Sequence, residues 1–432
     1  PMDSIDNYSP THIIRSHKCK VTSLVLNYRD ERNDSQPTLI SGDEEGTIII
    51  WNLLTRRPIE KFLVPSGSQI IDIHVLNDRI IILSKDHSLR VYTNLKETFE
   101  MKVNTLNFAN VSIWQSSQLK KEFTMICCNT TDSENIDIYN FIDGKMNSLT
   151  RLFNSVSFME FIEKNSLLGE SFTKLGLLMK IVRDNEKGLI FCGFESGIII
   201  GFKRCQTNNT NLSKKKIDVP YIEIILLSKF HYPNPILDMN VDETASILIS
   251  SSTEKQLEMI DYTNNHMTDD NNNNNDPEDL FIDYEQHIIM SKELWTKDTQ
   301  SQAIPTNNGK IAFIRQLNNH DIVYSTWTGR TVVINRTNSE ERNSFWVSRS
   351  RVAVSESSQG NIDPNRSKLI NRDSQYEKIG SLTVFDSQRS NNTTELMKSS
   401  KLLGKIRRFN NFIKQSWCFV GYDNGNIAIY TI

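Results

Sequence analysis

Apolar and polar positions along this chain fall into one pattern that recurs seven times: a short apolar stretch, a turn of small or polar residues, then a β-branched run ending on a bulky side chain. The fullest copy reads Leu39-Ile40-Ser41-Gly42-Asp43-Glu44-Glu45-Gly46-Thr47-Ile48-Ile49-Ile50-Trp51. Later copies, more decayed, end at Tyr92, Tyr139, Phe202, Ile260, Ile334 and Tyr430. Alternation combined with β-branching predicts a strand on each side of every turn. A further strand precedes several repeats, as in Val21-Thr22-Ser23-Leu24-Val25-Leu26, Ile70-Ile71-Asp72-Ile73-His74-Val75, Ile236-Leu237-Asp238-Met239-Asn240-Val241 and Ile311-Ala312-Phe313-Ile314. Each of these is expected to be the innermost strand of its sheet. The stretch from Asn165 to Val182 is ambiguous and has room for a helix.

One such sheet cannot bury both of its faces, so the repeats must stack on one another. Trp51 and Tyr92 stand 41 residues apart, which matches the roughly 40–45 residues of a four-stranded propeller blade. Wider spacings call for inserts, and three are visible. Residues 206–216 end in Lys214-Lys215-Lys216, residues 264–278 contain Asn271-Asn272-Asn273-Asn274-Asn275, and residues 338–378 are rich in Ser, Arg and Asn. Such segments are too polar to join a core, so disordered or mobile loops are expected there. In the third, Ser355, Ser357 and Ser358 are candidates for phosphorylation. The expected fold is all-β, a single seven-bladed β-propeller over residues 1–432. Its last repeat reaches only a third strand before Ile432, and the spare strand Thr11-His12-Ile13-Ile14-Arg15 is expected to complete that blade and close the ring.

Composition narrows the partners. With 432 residues, 38% of them hydrophobic and 23% charged, the chain has material for one large soluble domain diluted by polar inserts. A net charge of −3 offers little general attraction to nucleic acid or anionic lipid. No direct nucleic-acid partner and no membrane are therefore expected, and no apolar run approaches the ~18 residues of a membrane span. The six cysteines, Cys19, Cys127, Cys128, Cys192, Cys205 and Cys418, lack both zinc-site spacing and the density of a disulfide framework, so reduced thiols in an intracellular compartment are expected. Acids near the N-terminus argue against a signal peptide.

Candidate chemistry is sparse. The sequence has no phosphate-binding loop, no H-E-x-x-H and no G-x-S-x-G elbow, and its eight histidines are scattered. No catalytic residue, cofactor or metal is expected, and the chain reads as a non-enzyme. Gly42 and Gly46 bracket the first turn, where glycine frees the backbone, and Glu45 stands where such turns favour a carboxylate that accepts hydrogen bonds. Asp86 and Asn424 hold the equivalent place. Gly193, Gly197, Gly421 and Gly425 repeat the glycine pair, and Trp51, Tyr92, Tyr139, Phe202 and Tyr430 read as packing between sheets. Arg407 and Arg408 fall in the region expected for the innermost strand of the last blade. For contact with a partner, the candidates are Arg56 and Arg57, whose planar donors suit carboxylates, and Trp327 with Arg330 in one exposed turn. Arg56 and Arg57 would serve equally well as ion-pair braces between blades.

The repeats look like those of WD-repeat propellers, although the Trp-Asp ending is missing and the third repeat, Asn129 to Asn135, has lost its glycines. The continuation Thr55-Arg56-Arg57-Pro58 resembles the Asa/G-protein-β-like WD-repeat family, as do Gly193-Phe194-Glu195-Ser196-Gly197, Pro235-Ile236-Leu237-Asp238, Trp327-Thr328-Gly329-Arg330 and Gly421-Tyr422-Asp423-Asn424-Gly425. That resemblance spans nearly the whole chain. It implies a non-catalytic scaffold that works with the helical-repeat subunits of the TTT co-chaperone, with phosphatidylinositol-3-kinase-related kinases as clients. It also implies membership of the chromatin-remodelling-linked ASTRA assembly and residence in nucleus and cytoplasm. Competing readings are a histone-peptide reader, which needs an acidic or aromatic-lined central opening, a ubiquitin-ligase substrate receptor, and a signalling β subunit, which would carry an N-terminal coiled coil.

Overall fold

Each repeat turn becomes the hairpin between the second and third strands of an antiparallel sheet, and seven such sheets stand around a common axis. The structure, a computed structural model, describes residues 8–28, 36–117, 119, 121–169, 172–206, 219–264, 279–296, 301–349, 375–387 and 400–432. Blade 1 comprises Val21–Asn27, Thr38–Asp43, Thr47–Asn52 and Arg57–Leu63, from inside outwards. The innermost strands of the following blades are Ile70–Leu76, Ser112–Ser117, Leu178–Asp184, Asp238–Asp242, Ile311–Gln316 and Ile379–Phe385. Each packs against the innermost strand on either side, and the seventh packs against the first, so the ring is closed.

The expected closure is present. His12–Arg15 pairs antiparallel with Asn426–Thr431, with Ile14 opposite Ile427 and His12 opposite Ile429, and so forms the outer strand of blade 7. Hydrogen bonds also cross between neighbouring blades at or beside their innermost strands, where no sheet ladder exists. Ser381 Oγ donates to the Val21 carbonyl at 2.9 Å, Ser251 Oγ to that of Ile311 at 2.8 Å, and Asn110 Oδ1 accepts from the Ile181 amide at 2.9 Å. These bonds satisfy backbone groups that would otherwise be left orphaned around the axis. Apolar clusters fill the space between neighbouring sheets, and the bulky end of each repeat points into them. Trp51 packs with Phe419 and Ile429 of blade 7, Tyr92 with Ile40 of blade 1, Tyr139 with Ile81 of blade 2, and Phe202 with Ile138 of blade 3. Tyr430 stacks on Phe345 of blade 6 at 4.2 Å.

Several segments depart from the sequence reading. The helix sought between Asn165 and Val182 ends just before that stretch, as α1 (Phe158–Lys164), because Phe158, Phe161 and Ile162 bury one face and Ser157 caps its first turn. Leu178–Asp184, which begins inside the same stretch, is the innermost strand of blade 4. The long gap before Ile334 holds more than a polar insert. Leu280–Asp283 and Ile288–Ser291 form a hairpin that joins the outer strand of blade 4, Tyr221–Ser228, in parallel, making that blade six-stranded. Its apolar run Ile288-Ile289-Met290 is buried, which explains why it seeks a sheet. After α2 (Lys292–Thr296), Ser301–Pro305 returns to complete blade 5.

The insert expected at residues 338–378 begins too early, since Glu341–Phe345 is the outer strand of blade 6. Residues 350–374, with Ser355, Ser357 and Ser358, lie outside the described residues, as do 207–218 with Lys214-Lys215-Lys216, and 265–278. Arg407 and Arg408 belong to no innermost strand. They lie on α3 (Ser400–Ile413), which bridges Ile379–Phe385 and Trp417–Tyr422 of blade 7. All six cysteines are unpaired, and burial pushes their thiols up, to about 11 at Cys128. Among the described residues no helix is long and apolar enough to cross a membrane.

Candidate partner-binding faces

Buried polar side chains set the first turn. Trp51 Nε1 donates to Ser41 Oγ at 2.9 Å, Ser41 Oγ lies 2.6 Å from His17 Nε2, and His17 Nδ1 lies 2.6 Å from Asp43 Oδ2. The other Asp43 oxygen accepts from the amides of Glu45 and Thr47 at 2.9 and 3.0 Å. Burial would raise this carboxyl, but the His17 and Thr47 bonds outweigh it and hold Asp43 below the usual carboxylate range. Glu45, expected in that role, is exposed. Sequence reasoning missed His17, Ser41 and Asp43. The available signal was a serine and an acid flanking Gly42, with a histidine just ahead of the innermost strand.

Other blades carry variants of the same chain. In blade 2, Asp86 accepts from Ser84 at 2.6 Å and from Arg90 at 2.7 Å, and these bonds overcome burial to hold it down at about 2. In blade 5, His231 Nε2 lies 3.0 Å from Ser250 Oγ, and Ser250 and Ser228 both donate to the fully buried Glu258. Asn424 accepts from the Asn426 amide at 3.0 Å. These polar chains link strand to turn, and the Ser228–Glu258 bond also ties the outer strand of blade 4 to blade 5.

The two glycines of a repeat do different work. Gly46, Gly197 and Gly425 sit at φ of +82°, +87° and +86°, the left-handed region. Gly42, Gly193 and Gly421 have no such angle. A Cβ there would strike Ile70 at 2.7 Å, Ile236 at 2.7 Å and Val21 at 2.8 Å, each at the start of the next blade. Gly42 is therefore a close-approach position within a strand, not one end of the turn.

Because neighbouring strands run antiparallel, successive connections emerge on alternate faces of the ring. Trp327 and Arg330 lie between the second and third strands of blade 6, on one face. Arg56 ends the connection between the third and fourth strands of blade 1 and Arg57 opens the fourth, on the opposite face. The four candidates are not one site. Trp327 is 47% exposed, whereas Arg330 is held by Ser344 Oγ at 2.8 Å and by the Trp346 ring at 5.1 Å. Arg56, at φ +59°, closes a turn that Asn52 organises by accepting from the Leu54 and Thr55 amides. Among the described residues neither Arg56 nor Arg57 pairs with a carboxylate, so the inter-blade brace has no partner there.

Around the axis, two acids on the innermost strands are met by cationic or imidazole side chains. Asp238 is met by Lys180 at 3.2 Å and Arg315 at 2.9 Å, and Asp72 by His74 at 2.7 Å. Burial opposes both charges of that second pair, yet their mutual attraction lowers Asp72 and raises His74. Asp72 and Asp238 therefore do not supply unpaired acids for an acidic opening, one of the two linings, acidic or aromatic, that a histone-peptide reader would need. Among the described residues no three His, Cys, Asp or Glu side chains gather as metal ligands would.

The same ring is found in the β-propeller domain of Cps50 (Swd1) from Myceliophteria thermophila, at a TM-score of 0.55 and 11% identity, covering 98% of this chain and 99% of that one. At sequence level, a family model described as ASTRA-associated protein 1 matches residues 10–430, from just ahead of the closing strand to the last bulky repeat position. The chain belongs to the ASTRA-associated protein 1 family. A relative of that name from Zygosaccharomyces rouxii is 33% identical over 428 residues, covering 98% of each chain. One from Kluyveromyces lactis is 33% identical, covering 96% of each. One from Saccharomyces cerevisiae strain YJM789 is 30% identical, covering 97% of this chain and 96% of its own. The ASTRA-associated protein 1 match therefore takes in both ends of the ring and both candidate faces.

Proposed function

We propose that the chain is a non-catalytic adaptor subunit associated with the ASTRA assembly, acting with the TTT co-chaperone in the maturation and stability of phosphatidylinositol-3-kinase-related kinases. The observation that carries this reading is end-to-end membership of the ASTRA-associated protein 1 family by a closed ring whose Asp43 and Asp86 hold its own turns. Function then falls to exposed loops, and a stiff ring presents two sets of them. Helical-repeat TTT subunits on one face and a kinase client on the other is the arrangement such a ring suits, in nucleus and cytoplasm alike. The test is affinity purification of the tagged full chain from its native cells, followed by mass spectrometry. Enrichment of TTT subunits, ASTRA components and these kinases is the expected result. A set dominated by ubiquitin-ligase subunits or nucleosomes would overturn the proposal.

A further inference from the structure

Where blades 7 and 1 meet, a groove of about 500 Å³ opens beside α3. Its floor shows the edges of Leu53, Phe412 and Trp417, and its rim carries Arg56, Arg408 and Lys414. The helix cannot drift from this position. Phe412 and Ile413 are buried in the cluster between blades 7 and 1, Phe412 stacks on Trp417 at 5.5 Å, and Trp417 Nε1 donates to the Phe412 carbonyl at 2.9 Å. That anchoring leaves Lys405, Arg407, Arg408 and Lys414 exposed, on a segment that has no Asp or Glu between Ser400 and Lys414.

A row of exposed cations is by itself only a solvated face. Two further observations set this one apart. First, the charge is uncompensated: among the described residues none of Arg56, Arg57, Lys405, Arg407, Arg408 or Lys414 pairs with a carboxylate, although the whole chain is net negative at −3. Neighbouring His12 registers that field, since burial first, and then Arg56 and Arg15, push its imidazole below the usual range. Second, the cations surround an apolar slot, which a bare polyanion would leave unfilled.

We propose that this groove docks an acidic segment of a partner protein, which sets a Leu or Phe side chain into the slot while flanking Asp or Glu side chains meet Arg56, Arg408 and Lys414. The proposal rests on the adaptor reading only in taking the occupant to be a protein. Apolar anchoring within a charged rim is how short segments gain both affinity and selectivity.

The test uses the full chain and a labelled synthetic peptide with Glu and Asp flanking a central Leu-x-x-Phe. Controls are the same peptide with Gln for every acid, the same with Ala for Leu and Phe, polyglutamate, and duplex DNA. The acidic apolar peptide should bind best, and Arg408→Glu with Lys414→Glu should weaken it about tenfold or more while leaving the melting curve unchanged. Binding should also raise the His12 pKa, read by NMR, as carboxylates neutralise the rim. Equal binding of the Gln peptide, of polyglutamate or of DNA would overturn the proposal, as would indifference to the double reversal. Self-association of the wild-type chain that the reversal abolishes would replace the peptide by a second copy. In purifications from cells, an unreversed chain that recovers no ASTRA or TTT protein defeats the adaptor reading, whereas recovery without peptide binding defeats only the groove.

Discussion

Single residues in this ring mostly hold turns and fill gaps between sheets, and two of them give measurable consequences. Glu258 is fully buried among Ser228, Ser250 and Ser301, and burial pushes its carboxyl up to about 7 from the ordinary 4.5. The folded state therefore keeps a proton that the unfolded chain has released. Stability from this group is complete below 4.5 and declines as pH rises through 7, by about 3 kcal/mol in all. Glu258→Gln, neutral at every pH, should gain that amount on the wild type between urea melts at pH 4.5 and pH 8; an unchanged gap would refute the assignment. Trp51 fills the seam between blades 1 and 7 and anchors the His17 chain, so Trp51→Ala should cost about 3–5 kcal/mol in the same assay. The packing role of Trp51 could be read from a bulky residue ending a β-branched run. The polar partners could not, because His17 and Ser41 lie far apart in sequence and meet only when blade 1 folds.

Among the elements, strands with clear alternation were legible and those joined by long-range pairing were not. Val21–Asn27 and Ile70–Leu76 announce themselves by β-branched residues at period two. The hairpin Leu280–Ser291 has similar composition, yet nothing local says that it will pair with Tyr221–Ser228 of another blade. Helix α3 was hidden for a related reason: Phe409, Phe412 and Ile413 face the seam between two blades, and its charged positions are all cations. The closing strand was foreseen from a count of strands per repeat. Removing residues 1–15, which spares His17, should abolish cooperative melting and expose the edge of Asn426–Thr431 to aggregation, as judged by calorimetry and light scattering. A truncated chain that still melts in one sharp transition would show that blade 7 does not need this strand.

At the scale of the whole molecule, the ring separates its candidate contacts. Trp327 stands on one face and Arg56 with Arg57 on the other, so the residues that the sequence offers for partner contact belong to two faces. Trp327→Ala and the pair Arg56→Glu with Arg57→Glu should each leave the fold intact by circular dichroism and remove different proteins from the purified set. Loss of one common partner in both would show a single body reaching across the ring. The pairing of Ile14 with Ile427 carries a further consequence for how the protein is made. As the polypeptide leaves the ribosome, His12–Arg15 must wait, unmatched, until Asn426–Thr431 has followed it out. A nascent ring thus stays open through almost its entire synthesis, a long interval in which a holding chaperone has something to hold.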